Sequence, residues 1–139
     1  MTVRYLLDTN VISEPLRPYP DQRVLARLQQ HQADIAIASI VWHELVYGAA
    51  RLPPSARRTA IERYLHQVVA PTIPCLPYDE RAAEWHAQER ARLVQLGRTP
   101  TFADGQIAAV AQTSQLVLVT FNTSDYAAFD GLAIEDWRV

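Results

Sequence analysis

The chain has 139 residues, 49% hydrophobic and 20% charged, with 13 basic against 15 acidic side chains, which predicts one soluble globular domain over 1–139. No apolar run approaches membrane-spanning length, no basic-then-apolar export segment opens the chain, and Cys75 is the lone cysteine, so a cytoplasmic, disulfide-free protein without a membrane partner is expected. All 13 basic residues are Arg; without a Lys or a Gly-rich phosphate loop, Walker-type nucleotide binding and Schiff-base catalysis are excluded.

The first stretch, Val3-Arg4-Tyr5-Leu6-Leu7-Asp8, reads as a buried strand that ends abruptly in a carboxylate followed by Thr9 and Asn10. In an open α/β sheet such a strand is central, and its carboxyl end opens onto the ligand crevice. Thr9–Leu16 predicts a short helix stopped near Pro18 and Pro20, and Asp21 caps a second helix carrying Val24, Leu25 and Leu28 on one side. A second strand follows at Ile35–Ser39, with Ser39 capping a helix over Ile40–Arg51. Pro53-Pro54 stops that helix, and Ser55–Ala70 forms the next. Pro71 and Pro74 frame a short third strand at Ile73–Leu76, and Asp79 caps a long polar helix that Gly97 closes. Thr101 starts a helix over Phe102–Gln115, Leu116–Val119 is a fourth strand, and a last short strand falls at Ala133–Glu135. Short apolar strands alternating with helices predict a parallel sheet covered on both faces.

Four carboxylates fall where such a sheet opens. Asp8 ends the first strand, although an Asp there also suits a helix N-cap. Glu44 lies in the first turns of the helix after the second strand, bordering the arc of Val41, Leu45 and Gly48. Asp104 heads the stripe continued by Ile107, Ala108 and Ala111, so a helix-dipole role explains its position in the first turn but not its inward face. Asp125 follows the fourth strand after Thr120, Asn122, Thr123 and Ser124. Asp79, Asp130 and Asp136 read as turn or cap residues, and His31, His43, His66 and His86 show no ligand spacing with Cys75. Two carboxylates ~4 Å apart repel by roughly 4 kcal/mol at an effective dielectric near 20, so convergent acids must protonate or meet a cation. With no Lys, and no Arg adjoining Asp8 or Asp104 in sequence, Mg²⁺ or Mn²⁺ is the natural neutraliser of an all-oxygen set. Such an ion suits phosphate chemistry, and Thr120 and Asn122 are placed to steady an acid or a metal-bound water.

The set Leu7-Asp8-Thr9-Asn10-Val11-Ile12, Glu44 with Leu45 and Gly48, Asp104-Gly105-Gln106-Ile107-Ala108-Ala109, and Val119-Thr120-Phe121-Asn122 with Asp125-Tyr126 resembles the PIN-domain family, most closely its VapC-type toxins. The resemblance spans nearly the whole chain. It implies a three-layer α/β/α sandwich on a five-stranded parallel sheet, and a Mg²⁺- or Mn²⁺-dependent endoribonuclease whose acids fall on Asp8, Glu44, Asp104 and Asp125, with Thr9, Asn10, Thr120 and Asn122 in support. It also implies a homodimer inhibited by a cognate antitoxin, which an Arg entering the acids would accomplish. Phe121 departs from the pattern, since relatives often carry Arg between the Thr and the Asn. Arg51, Arg57 and Arg58 after the Glu44 helix, and Arg90, Arg92 and Arg98 before Asp104, are the candidate replacements for RNA contact. Other readings are a degenerate PIN-like module that only binds a partner, and a metal-dependent nuclease acting on DNA. Phosphatase and receiver folds with an Asp after the first strand are excluded by Asn10 and by the missing Lys.

Overall fold

A computed structural model describes residues 2–139. Five parallel strands lie in the order β3-β2-β1-β4-β5, with β1 (Tyr5–Leu7) at the centre, as its fully buried sequence requires. Tyr5 and Leu6 pair with Ile35 and Ala36 of β2 (Ile35–Ala38), and Tyr5, Leu6 and Leu7 pair with Val117, Leu118 and Val119 of β4 (Val117–Val119). The outer strands β3 (Cys75–Leu76) and β5 (Ile134–Glu135) are short. Pro74 lacks an N–H, yet its carbonyl still accepts from Ile37 N at 3.0 Å, so the pairing begins one residue before the strand proper. The chain moves outward from β1 to β3, then returns past β1 to β4 and β5. Because parallel crossovers are right-handed, that reversal puts the connecting helices on opposite faces and opens a crevice at the carboxyl ends of β1 and β4.

The helices follow the expected order, with local differences that have identifiable causes. The first helical segment splits into α1 (Thr9–Ile12) and a 3₁₀ turn, Glu14–Leu16. Pro15 has no N–H to continue an α-helix, and the Ser13 hydroxyl donates to Thr9 O at 2.7 Å to close the turn. α2 (Gln22–Gln30) is capped by Asp21, which accepts from Arg23 N and Val24 N. α3 (Ser39–Ala50) begins at Ser39 itself, so Ser39 is not the predicted cap; Ala38, still extended, holds that position without a side-chain bond. The strand feeds the helix directly, leaving no residue free to cap it.

Ser55 caps α4 (Ala56–Arg63), but the expected continuous helix widens into a π turn over Tyr64–Val69 before α5 (Ala70–Thr72). A regular helix would press the Pro71 ring onto the carbonyl four residues earlier, and the wider turn relieves that clash. Asp79 caps α6 (Glu80–Gln95) through Ala82 N. Beyond it Gly97, at φ +73°, donates to Val94 O while Arg98 N reaches back to Leu93 O, the paired bonds of a Schellman ending. Thr101 caps α7 (Phe102–Thr113) through Asp104 N. A short helix not anticipated from sequence, α8 (Thr123–Tyr126), follows β4. Leu6, Leu7, Val11, Ile12, Ile37, Ile107 and Leu118 are buried around the central strands, and burial stabilises each by roughly 1.5–3 kcal/mol relative to exposure. No helix among the described residues is long and apolar enough to cross a membrane.

Candidate active site

Three of the four acids gather at the crevice. Asp8 is held from three directions and is only 7% exposed. Its Oδ1 accepts from Thr9 N at 2.8 Å, so Asp8 is indeed the cap of α1. Its Oδ2 accepts from the Thr120 hydroxyl at 2.8 Å, and Thr120 Oγ1 in turn accepts from Asn122 N at 3.0 Å. The Tyr126 hydroxyl lies 3.1 Å from Asp104 Oδ1 and 3.4 Å from Asp8 Oδ2, bridging the two carboxylates. Glu44 joins through Thr9, whose hydroxyl donates to Glu44 Oε1 at 3.1 Å. Asp104 is half-buried at the head of the buried Ile107, Ala108 and Ala111 stripe, as its helical position predicts.

The remaining candidates stand further out. Asp125 is exposed in the first turn of α8, and its carboxylate borders a separate hollow with Arg98 and Ser124. Asn10 is exposed, and Asn122 serves Thr120 through its backbone rather than its amide. Tyr126 was visible in the sequence only as part of a motif. Its recognisable signal was an aromatic residue with a polar tip beside a carboxylate, the type that needs a hydrogen-bond partner when buried.

The charges around these acids are unbalanced. Every ion pair among the described residues involves other groups, so Asp8, Glu44 and Asp104 have no Arg partner. Burial pushes the Asp8 carboxyl above its usual range and the Asp104 charge adds to the rise, against the bonds from Thr120 and Thr9. Burial also raises Glu44, with the charges of Asp8 and Asp104 adding to it and the Thr9 bond opposing it. Burial and the same two carboxylates push the Tyr126 phenol strongly upward, so its proton stays in place as a donor. One phenolic proton cannot satisfy two carboxylates fully, and the cluster remains a cation short.

The side chains do not form a closed cage. Among the described residues no three His, Cys, Asp or Glu side chains are drawn together as a ready-made metal site. The donor chemistry nonetheless fits a hard cation: the oxygens are anionic, uncompensated and partly desolvated, and Mg²⁺ typically binds through one or two carboxylates while keeping several waters.

The raised carboxyls imply a pH dependence with a definite sign. A folded state that raises an acid's pKa binds protons more tightly than the unfolded chain, so stability is gained as pH falls. Without metal, wild type is expected to gain melting temperature, relative to Asp8→Asn/Glu44→Gln, as pH drops from 7 toward the ordinary values of 3.8 and 4.5. Thermal melts in EDTA across that range check it; parallel curves for the two proteins would refute the shifts.

Comparison with known proteins gives the family and the fold. The PIN domain model matches residues 5–132. Toxin FitB of Neisseria gonorrhoeae (strain ATCC 700825 / FA 1090) is 37% identical over 136 residues, covering 96% of this chain and 98% of the relative. The tRNA(fMet)-specific endonuclease VapC of Shigella flexneri is 33% identical over 136 residues, covering 97% and 98%. The crystal structure of FitAcB from Neisseria gonorrhoeae superposes with a TM-score of 0.88 at 37% identity, covering 96% of this chain and 97% of that one. A family model matched over nearly the whole chain, and relatives 37% and 33% identical along it, show that the chain belongs to the PIN-domain family.

Proposed function

We propose that the chain, acting as one domain over 1–139, is a metal-dependent endoribonuclease that hydrolyses RNA phosphodiester bonds and serves as the toxin of a toxin–antitoxin pair. The observation that carries this reading is the pair Asp8 and Asp104, joined by one Tyr126 hydroxyl and neutralised by no basic side chain. The relatives named as a toxin and as a tRNA(fMet)-specific endonuclease support the reaction class, and a cytoplasmic setting is proposed with it.

Asp8, Asp104 and Glu44 would hold the Mg²⁺ or Mn²⁺, with Asp125 as an outer carboxylate. When bound, the ion supplies Lewis acidity toward the scissile phosphate and lowers the pKa of an attacking water. The protein's own residues fix the rest. Thr120 and Thr9 N orient the two oxygens of Asp8, Thr9 Oγ1 steadies Glu44, and Tyr126 sets the spacing of Asp8 and Asp104. Asn10 and Asn122 line a neighbouring hollow, where their amides would meet substrate. A toxin needs a silencing partner, and an antitoxin Arg pairing with Asp8 and Asp104 would displace metal and block the phosphate position. The protein is proposed to act as a homodimer.

The deciding experiment is cleavage of a mixed tRNA and rRNA pool by wild type with Mn²⁺, by wild type with EDTA, and by Asp104→Asn. Discrete fragments from wild type with Mn²⁺ alone support the reading; equal cutting by wild type and variant refutes it. Asp79→Asn, at the cap of α6, is expected to cut like wild type.

Tyr126→Phe tests the bridge separately. It removes the hydroxyl that spaces the carboxylates while retaining the buried ring, and is expected to weaken Mn²⁺ about tenfold or more, within the range typical of groups that orient metal ligands. The Mn²⁺ concentration needed to raise the melting temperature reads this directly, and an unchanged midpoint would deny the bridge that role.

A further inference from the structure

We infer that a continuous trough wrapped around α1 carries single-stranded RNA past the acid site, with Arg138, Arg17, Arg51 and Arg57 taking its phosphates; this rests on the nuclease reading. Two hollows share Ser13 and Arg17 as a common wall. The larger, about 680 Å³, starts at Thr9 and Glu44 and runs between α3 and α4 over Leu45, Leu52 and Ile61, with Arg51 and Arg57 among its lining. The smaller, about 380 Å³, leaves the other side of α1 past Asn10 and Asn122 and reaches Phe121 and Arg138.

The arginines nominated from sequence differ in their commitments. Arg58 is held by Glu62 and the Leu52 carbonyl, Arg92 by Glu89 and the Ala128 carbonyl, and Arg90 lies over the Phe102 ring. Arg98 borders the separate hollow beside Asp125. Arg51 and Arg57 are exposed, and their guanidiniums make no ion pair or hydrogen bond among the described residues. Arg17 is anchored by Glu14 and its side chain remains 66% exposed. Arg138 is held by Asp136 and the Phe121 carbonyl much as Arg92 is held, and its place at the smaller hollow is what sets it apart.

Arg138 also answers the departure at Phe121. Its guanidinium stands 4.5 Å above the Phe121 ring and donates to the Phe121 carbonyl at 3.0 Å. The loop after β4 therefore has a guanidinium beside it although residue 121 carries none, one that is also paired with Asp136 at 2.7 Å. Guanidinium edges suit phosphates, Phe121 offers the one aromatic ring of the two hollows, and Leu45, Leu52 and Ile61 give the bases an aliphatic surface. A strand cut in its interior needs a path on both sides of the acids, and the trough provides one; a blocking acidic peptide needs only one side.

The test uses Asp104→Asn as the uncut parent and follows the anisotropy of a labelled single-stranded RNA of about twelve nucleotides against salt. Adding Arg51→Ala and Arg57→Ala is expected to weaken binding about tenfold or more and to reduce the slope of log K against log salt by about 1.4, near 0.7 per lost phosphate contact. Arg138→Ala is expected to remove a further contact, which Arg138→Lys restores in part. Arg63→Ala and Arg81→Ala, outside the trough, should match the parent. With Asp104 restored, the Arg51/Arg57 double variant is expected to raise KM and leave kcat intact.

RNA bound with an unchanged slope by the double variant overturns the trough alone. So does lost binding of a labelled acidic peptide of alternating Leu and Glu with RNA binding unaffected. RNA bound by neither parent nor variants overturns the nuclease reading and the trough together.

Discussion

Asp104→Asn is expected to lose RNA cleavage by about a thousandfold or more, the scale of removing one preorganised electrostatic group, while melting higher than wild type in EDTA. The two effects share a cause. Asp8 and Asp104 sit within reach of one hydroxyl, and two unit charges ~6 Å apart at an effective dielectric near 20 repel by on the order of 3 kcal/mol. The amide of Asn removes that repulsion, keeps the shape and still accepts from Tyr126. It also removes an anionic ligand. Mn²⁺ should therefore raise the melting temperature of wild type and leave the variant nearly unmoved.

Asp8→Asn should be equally inactive but gain less stability. Both oxygens of Asp8 accept, one from Thr9 N and the other from Thr120, and Tyr126 also reaches the second, so an amide must turn its NH₂ toward a donor. Asp125→Asn should cost far less activity than either, because Asp125 is exposed. Wild-type cutting by Asp104→Asn, or an EDTA melting temperature below that of wild type, would deny that these charges are both the strain and the chemistry of the site.

Residues whose roles depend on local periodicity were the legible ones. Asp8 ends a wholly apolar strand, and Asp104 interrupts an apolar helical stripe, so their inward placement follows from spacing alone. Thr120 was legible for a similar reason, standing immediately after β4, which pairs with β1. Tyr126 was not, because its role depends on the distance between two acids that are 96 residues apart in sequence. The π turn and the break before Pro15 were missed because hydrophobic period does not register a single missing N–H. Arg138 was hidden for a third reason: it reaches Phe121 only because β5 lies beside β4 and returns the chain's last residues to that loop. Arg51 and Arg57 were visible as candidates, but only packing separates them from Arg58, which is tied down one residue away.

Gly105→Ala is expected to destabilise the fold by roughly 2–3 kcal/mol, toward the upper end of overpacking costs, and to reduce activity with it. A Cβ on Gly105 would overlap Nε2 of the His86 imidazole. That ring has little freedom to move: it is 2% exposed, its Nδ1 lies 2.8 Å from Tyr78 OH, and Phe102 packs 4.9 Å away. Burial and the nearby Arg90 charge hold its pKa below the usual histidine value, so it packs as a neutral ring. The close approach of α6 to α7 is thus set by a glycine beside a buried histidine, immediately after Asp104. Pushing the helices apart would move that carboxylate away from the Tyr126 bridge as well as loosen the core. A double-mutant cycle separates this contact from general damage. His86→Ala alone opens a cavity, but combined with Gly105→Ala it gives the new methyl space, so the double variant should be more stable than the two single losses sum to predict. Strict additivity would show that His86 and Gly105 do not set the spacing on which Asp104 depends.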